Sequence, residues 1–352
     1  MKLRLFSVIA AIGASILLAP AGSAQELPYQ IFERYLEPLA QQIGMPGLSA
    51  LIVRNSRVEW ERGYGYADVE NKIAARPDTP YPIGGVTQAM TGVLIGICTD
   101  RRQLGVDEVD TGIRRWVPTF PDDASVRHVL AHASEGRFNY DAARFTALTP
   151  VVEACTRQPF RVAAAEEILE RLAMTSSVPG LDLGRPEGQA ARNLFDAARL
   201  ARYNSQLARV AVPYRIDRSG HAVKSEYPSY GLDAAGGMVS TARDLASFEA
   251  ALDNGVPLSS STLNQMWTGA TFNGLTMPTG LGWFVQTSSR ERLVWSFGHI
   301  PDAASALILK MPSKRLTLIL LANSGGLAAG YNLEQGNVAN SPFVKIFLRL
   351  FI

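Results

Sequence analysis

Cysteine, lysine and histidine are scarce in this sequence, whose 352 residues include only two Cys, six Lys and four His. Cys98 and Cys155 belong to no C-x-x-C or Cys/His cluster, so the pattern offers no metal site and we expect no cofactor. In an oxidising compartment these two residues could pair in one disulfide, or they could stay buried as free thiols. The sequence leaves both alternatives open.

An excess of charge is also missing, because Lys2 and Arg4 account for the whole net charge of +2. The rest of the chain therefore has no overall electrostatic attraction for nucleic acid or an anionic membrane. Residues 1–24 join that basic start to an apolar run and a small-residue end, which is typical of an export signal cleaved after Ala24. The apolar run is too short to span a bilayer, which takes about 20 residues. We expect a periplasmic or secreted protein with no membrane span after cleavage.

Hydrophobic periodicity predicts an α+β chain with strands near both ends and helices between them. The predicted helices are Ile31–Gln42, Val86–Thr99, Val162–Leu172, Leu194–Leu207, Ala242–Asp253 and Phe343–Ile352. The predicted strands are Leu48–Val53, Arg57–Tyr64, Gly282–Gln286, Leu293–Ser296, Ser305–Met311 and Leu316–Leu321. We expect one domain over residues 25–352. Its antiparallel sheet and flanking terminal helices come from about 25–80 and 255–352, and a mainly helical lobe is inserted over about 81–254. A cleft between such lobes is a common ligand site.

Short motifs along the chain resemble, in the same order, those of the serine β-lactamase-related family, which includes class C β-lactamases, penicillin-binding DD-peptidases and esterases. They are Pro46-Gly47-Leu48 with Gly63-Tyr64-Gly65, the stretch Tyr81–Gln88, Val126–Ser134, Gly236–Leu245, Gly280–Trp283 and Leu320–Ser324. The resemblance covers about residues 30–350. It implies the β-lactamase/transpeptidase-like fold, which is α/β of the α+β type.

The stretch Tyr81–Gln88 is similar to the family's F-x-I-G-S-x-T-K element, in which serine forms an acyl-enzyme and lysine lies one helical turn later. Here the serine position is Gly85 and the lysine position is Gln88. Glycine has no side chain to acylate, and glutamine is not a base near neutral pH. No Ser-x-x-Lys occurs elsewhere in the chain. The sequence therefore predicts that the acyl-enzyme route is absent.

The family's second motif, Y-x-N, is similar to Tyr140-Asp141-Ala142, which keeps the tyrosine and replaces the asparagine by Ala142. The alternative interpretation is a turn tyrosine that packs its ring. The positions Gly85, Gln88, Tyr140 and Ala142 are thus the expected remnants of a catalytic site.

The third motif, K-T-G or H-x-G on a strand, has two possible registers. Ser296-Phe297-Gly298 keeps the glycine, and His299-Ile300-Pro301 keeps the histidine. The distance along the chain to Pro312 favours the first. The residues predicted to line a ligand pocket are Gly85, Gln88, Tyr140, Ser296, Phe297, Gly298 and His299.

Two further histidines, His128 and His132, are four residues apart and predicted on one helix face. Without H-E-x-x-H or a third ligand they indicate a structural role rather than a metal site.

Three hypotheses about function follow. The first is a non-catalytic relative that binds a small molecule, a cell-wall peptide or an envelope protein in its cleft. The second is an active hydrolase in which Tyr140 or a histidine activates water. The third is a structural or interaction protein that uses its outer surface. The oligomeric state is left open.

Overall fold

The computed structural model describes residues 23–103 and 109–352. All but the last two positions of the predicted export signal lie outside the described residues. The helices are α1 Ser23–Ile43, α2 Val86–Asp100, α3 Val126–Leu130, α4 Ala142–Phe145, α5 Thr149–Thr156, α6 Phe160–Ala164, α7 Gln189–Arg192, α8 Ala197–Leu207, α9 Ala242–Asp253, α10 Ser260–Met266 and α11 Pro342–Phe351.

The strands are β1 Gly47–Arg54, β2 Arg57–Asp68, β3 Ile73–Ala74, β4 Tyr81–Pro82, β5 Ala133–Ser134, β6 Arg137–Phe138, β7 Tyr214–Ile216, β8 Ala222–Lys224, β9 Val239–Ser240, β10 Thr271–Phe272, β11 Leu275–Thr276, β12 Phe284–Ser288, β13 Glu291–Ile300, β14 Ala304–Met311 and β15 Leu316–Ala322.

One large antiparallel sheet, in the strand order β12-β13-β14-β15-β1-β2-β3, joins the early and late strands. Strand β1 pairs with β15 so that Leu51 faces Ile319, which closes the sheet across most of the chain length. Both faces are covered. Strand β15 is accordingly apolar except at Thr317 and has every residue buried, as expected for a strand with no solvent-facing side. The predicted α+β fold with an antiparallel sheet is confirmed.

The terminal helices cover one face of the sheet. Phe32 of α1 packs edge-on against Phe347 of α11, with ring centroids 5.8 Å apart. Their apolar residues share a core with alternate positions of the central strands, such as Leu307 and Leu309. The order of elements along the chain therefore brings its two ends together on the same side of the sheet.

Helices of the inserted region cover the other face. Helix α2 is buried from Val86 to Cys98, because it runs between the sheet and the rest of the helical lobe. A disulfide between Cys98 and Cys155, with Cα atoms 6.1 Å apart, joins α2 to α5. Of the two alternatives left open by the sequence, the structure thus has the paired form.

A fully buried ammonium lies where α9 meets this face. Lys310 of β14 places its Nζ 2.9 Å from a carboxylate oxygen of Glu249 and 2.6 Å from one of Asp253. The same Nζ lies 4.8 Å from the ring centroid of Trp267. Burial raises the pKa of Glu249, and the charge of Lys310 opposes that shift. We call Lys310, Glu249 and Asp253 the buried ion triad.

Most predicted elements agree with the structure to within a few residues, and α9 agrees at both ends. The prediction that His128 and His132 share one helix face is wrong. Helix α3 ends at Leu130, and His132 has the left-handed φ of +47°, so the two rings share no helix face. His128 instead closes a capping box with Ser125 at the beginning of this short helix.

A continuous helix over Val162–Leu172 is also not what forms, because α6 passes into a π-helical segment over Ala165–Glu170. Within residues 23–103 and 109–352, no helix is both long and apolar enough to cross a membrane.

Candidate functional site

A cavity of about 750 Å³ lies between the helical lobe and the outer end of β13. Its size is that of a small-molecule site. It is lined by Gly84, Gly85, Tyr140, Ala142, Pro228, Tyr230, Gly231, Leu232, Asp233, Ala235, Gly236, Phe297, His299, Ile300, Pro301 and Glu334. We call this space the cleft.

The floor of the cleft is a contact between backbones. Gly84 has a φ of +51°, which glycine adopts without strain, and it turns the chain from β4 into α2. Gly85 follows at the N-cap of α2. A Cβ at position 85 would lie 2.7 Å from the carbonyl oxygen of Phe297, closer than real Cβ atoms approach, and 3.3 Å from the Tyr140 hydroxyl. No side chain fits at Gly85 unless β13 moves.

Gly298 forms the other side of this contact. A Cβ there would overlap the carbonyl oxygen of Ile83, so only glycine allows β13 to lie this close to the start of α2. Strand β13 ends at Ile300, and Pro301 lies beyond it. Of the two registers left open for the third motif, this geometry favours Ser296-Phe297-Gly298.

Gln88 is buried beneath the floor, where its Oε1 lies 3.0 Å from Nε2 of His132. Burial lowers the pKa of His132 to about 3, so the imidazole is neutral near pH 7 and its Nε2–H donates to the Gln88 oxygen. The His132 ring lies between Tyr140 and Phe145, at centroid distances of 4.5 and 4.9 Å. Position 88 therefore takes part in a neutral hydrogen bond.

Tyr140 forms a wall of the cleft. Its ring centroid lies 5.4 Å from that of Phe297, and burial raises its pKa to about 12. The hydroxyl is therefore protonated at neutral pH. Burial also lowers the pKa of His299, which leaves a neutral imidazole at the opposite wall.

The sequence-predicted pocket residues divide into two groups. Gly85, Tyr140, Phe297 and His299 line the cleft, as does Ala142, which was predicted only as a remnant of the catalytic site. The other three, Gln88, Ser296 and Gly298, are buried behind the lining.

Sequence reasoning missed the charged lining, which comes from loops. Asp233 and Tyr230 lie just before the Gly236-Gly237 motif, and Glu334 lies in a 3₁₀ turn after the last strand. The only sequence signal was the closeness of Asp233 to that glycine pair. Within the described part of the chain, no three His, Cys, Asp or Glu side chains are grouped to hold a metal ion.

Comparison with known proteins gives matches in sequence and in structure. The family model described as Beta-lactamase matches residues 32–340. Protein flp of Staphylococcus aureus strain N315 is 35% identical over 112 residues, which are 30% of this chain and 22% of that protein. This chain thus matches about a fifth of the length of that relative.

Two solved structures are similar over nearly the whole chain. A penicillin-binding protein homologue from Pyrococcus abyssi has a TM-score of 0.70 at 20% identity, and the match covers 88% of this chain and 76% of that one. A class C β-lactamase has a TM-score of 0.70 at 15% identity, with coverage of 92% and 97%. At such identities the likeness shows a common fold.

The fold and the order of the motifs both agree with the family match, which covers most of the sequence. The chain belongs to the β-lactamase family, within the β-lactamase-like serine hydrolase superfamily.

Proposed function

We propose that this protein is a β-lactamase relative that binds a ligand in its cleft without forming an acyl-enzyme. The observation that carries the proposal is Gly85, which stands where the family has its serine and which has no room for a side chain beside the carbonyl of Phe297. Covalent catalysis needs an activated nucleophile, and position 85 supplies none.

The proton chemistry of the cleft supports the same proposal. Gln88 is neutral and bonded to His132, and Tyr140 has a pKa of about 12. An adjacent cation would favour the tyrosinate, but no lysine or arginine is among the described residues that line the cleft. Tyr140 is therefore an acid too weak to give up its proton at neutral pH.

Labelling with a fluorescent penicillin and a fluorophosphonate probe tests the proposal. We expect no covalent labelling of the natural protein. We also expect none for the double variant Gly85→Ser/Gln88→Lys, because the serine Cβ would meet the Phe297 carbonyl. Stoichiometric labelling of the natural protein would contradict the proposal.

A second candidate is hydrolysis by directly activated water. The observation in its favour is His299, a neutral imidazole on the wall of the cleft and therefore able to accept a proton. Tyr140 is a weaker candidate because it stays protonated. Turnover of nitrocefin and p-nitrophenyl acetate that is lost in His299→Ala but kept in the exposed-residue control His221→Ala would favour this function. We expect no turnover above a heat-treated sample.

The ligand classes that the family resemblance suggests are a small molecule, a cell-wall peptide or an envelope protein. Ala142→Trp, at a position that lines the cleft, would fill the cleft and so separate binding there from an interaction through the outer surface alone. We expect the folded variant to lose the biological effect of the protein, whereas an unchanged effect would favour the outer surface. Export is part of the proposal, and N-terminal sequencing of the mature protein should give Gln25 as its first residue.

A further inference from the structure

The charged side chains that line the cleft have one sign. Asp233 and Glu334 are carboxylates, and among the described residues that line the cleft there is no lysine or arginine. The guanidiniums that lie near it are already bonded. Arg144 forms a salt bridge with Asp122, and Arg185 donates to the backbone carbonyls of Tyr227 and Pro228.

Asp233 is held in place without a counter-ion. Its Oδ1 accepts from the backbone N–H groups of Ala235 and Gly236, at 2.8 and 3.1 Å, and its Oδ2 accepts from the Thr146 hydroxyl at 3.1 Å. No cation pairs with Asp233 or Glu334 within residues 23–103 and 109–352. A carboxylate oxygen has about two acceptor positions, so Oδ2 keeps one for a ligand.

The walls beside these carboxylates are aromatic and apolar. Tyr140, Phe297 and Tyr230 line the same space, with Leu232 and Ile300. Aromatic faces attract an ammonium group as well as an apolar body. The combination of fixed carboxylates and aromatic walls suits a cation that carries hydrocarbon.

The floor holds a buried amide donor beside Tyr140. Nε2 of Gln88, in a side chain that is only 4% exposed, makes no hydrogen bond of ordinary length with the described residues. Its polar neighbour is the Tyr140 hydroxyl, and this contact opposes the rise that burial causes in the pKa of Tyr140. The same Nε2 lies 3.8 Å from the place of a Cβ at Gly85, which lines the cleft. A weakly bonded buried donor is costly, and a ligand acceptor atom that approaches Gly85 from the open side of the cleft, away from the Phe297 carbonyl, would give it a full hydrogen bond.

We propose that the cleft binds an organic ammonium ion. Its apolar body packs on Tyr140 and Phe297, its ammonium group faces Asp233 and Glu334, and an acceptor atom, where the ligand has one, lies over Gly85. This inference rests on the proposed non-covalent binding function and deepens it by naming the ligand class. Anionic ligands are disfavoured because they would meet two unpaired carboxylates.

Three probes of one shape but different charge test the inference, namely 4-phenylbutylamine, 4-phenyl-1-butanol and 4-phenylbutyrate. Binding to the full mature chain is measured by NMR titration, and mass spectrometry checks for covalent adducts. We expect the amine to bind about tenfold more tightly than the alcohol, and the carboxylate to bind most weakly.

Charge-neutralising variants locate the effect. Asp233→Asn keeps an acceptor for the backbone donors and should weaken amine binding about fivefold or more while leaving alcohol binding unchanged. Glu334→Gln, at an exposed position, should act in the same direction without risk to folding. Glu135→Gln removes the same charge at an exposed position outside the cleft lining and should change neither.

The outcomes distinguish the ammonium inference from the proposed function of non-covalent ligand binding. If the alcohol or the carboxylate binds most tightly, the ammonium inference is wrong and non-covalent binding stands. If no probe binds, the ammonium inference is wrong, whereas a covalent adduct would overturn the proposed function directly.

Discussion

Two places where a helix meets the large sheet treat charge in opposite ways. In the buried ion triad, α9 and β14 enclose a full ammonium at Lys310 with two carboxylates. At the start of α2, where the family has its lysine, Gln88 and His132 make a neutral pair. The fold therefore tolerates a buried lysine where carboxylates surround it. At the position where acyl-enzyme chemistry in the family uses a lysine, this chain has Gln88 instead.

The largest expected effect comes from removing the charge at the triad. Lys310→Met leaves Glu249 buried without its counter-ion and should lower the free energy of unfolding by about 3–5 kcal/mol. Urea denaturation measures the change. Lys345→Met, at an exposed position on α11, is the matched control and should stay within about 0.5 kcal/mol of the natural protein. A loss of stability below about 1 kcal/mol at position 310 would show that Glu249 and Asp253 do not need the charge of Lys310 to remain buried.

The converse change puts a charge into the neutral region. Gln88→Lys buries an ammonium with no carboxylate beside it and should lower the free energy of unfolding by about 2–4 kcal/mol near pH 7. Gln88→Met, which removes only the acceptor for His132, should cost about 1–2 kcal/mol.

The pH dependence of Gln88→Lys checks the cause. Its folded-state pKa is depressed, so the cost is present below the unfolded pKa of about 10.4 and should shrink as the pH rises towards that value. A cost that does not change with pH would point to packing rather than charge.

His132 gives a smaller, pH-dependent effect. Its pKa is lowered to about 3 in the folded protein, so the unfolded chain binds a proton first as the pH falls below about 6.5. Stability is therefore lost on acidification, by about 2 kcal/mol from this group between pH 6.5 and 4.5. His132→Asn should remove that part of the slope, whereas His221→Asn, at an exposed position, should not. Equal slopes in all three proteins would contradict a buried neutral imidazole.

The smallest effect is expected at an exposed ion pair. Arg243 of α9 pairs with Glu61 of β2, with side chains 53% and 29% exposed. Glu61→Gln should change the free energy of unfolding by less than about 1 kcal/mol, and high salt should remove the difference. A loss of stability as large as that of Lys310→Met would mean that the degree of burial does not explain the difference between the exposed ion pair and the buried ion triad.

Much of the fold could be predicted from the sequence because local patterns determine it. The mostly apolar sequence of β15 and the amphipathic pattern of α9 each indicate one element. Thr241 marks the beginning of α9 by accepting a hydrogen bond from the Asp244 N–H. The His128–His132 prediction failed because spacing alone does not say where a helix ends. Helix α3 ends at Leu130 after only five residues, and the left-handed backbone of His132 places that residue outside it.

The site could be predicted only where it follows the family motifs. Gly85 and Tyr140 were found in this way. Asp233 and Glu334 come from loops whose paths depend on tertiary packing, so no periodicity marks them. Likewise, the bond between Gln88 and His132 joins residues 44 positions apart and needs the folded chain to be seen.

The backbone contact between Phe297 and Gly85 determines how a directed-evolution experiment on this chain must be designed. A library that varies only positions 85 and 88 leaves the Phe297 carbonyl where a serine Cβ would lie, so none of its members should acylate. Substitutions must first move β13 away from Gly85, and a variant with only that change has no acylation activity for which it could be selected. A population passed through rounds of neutral drift at residues 296–301, and selected afterwards for acylation, is therefore the starting material for building an acylating site in this chain.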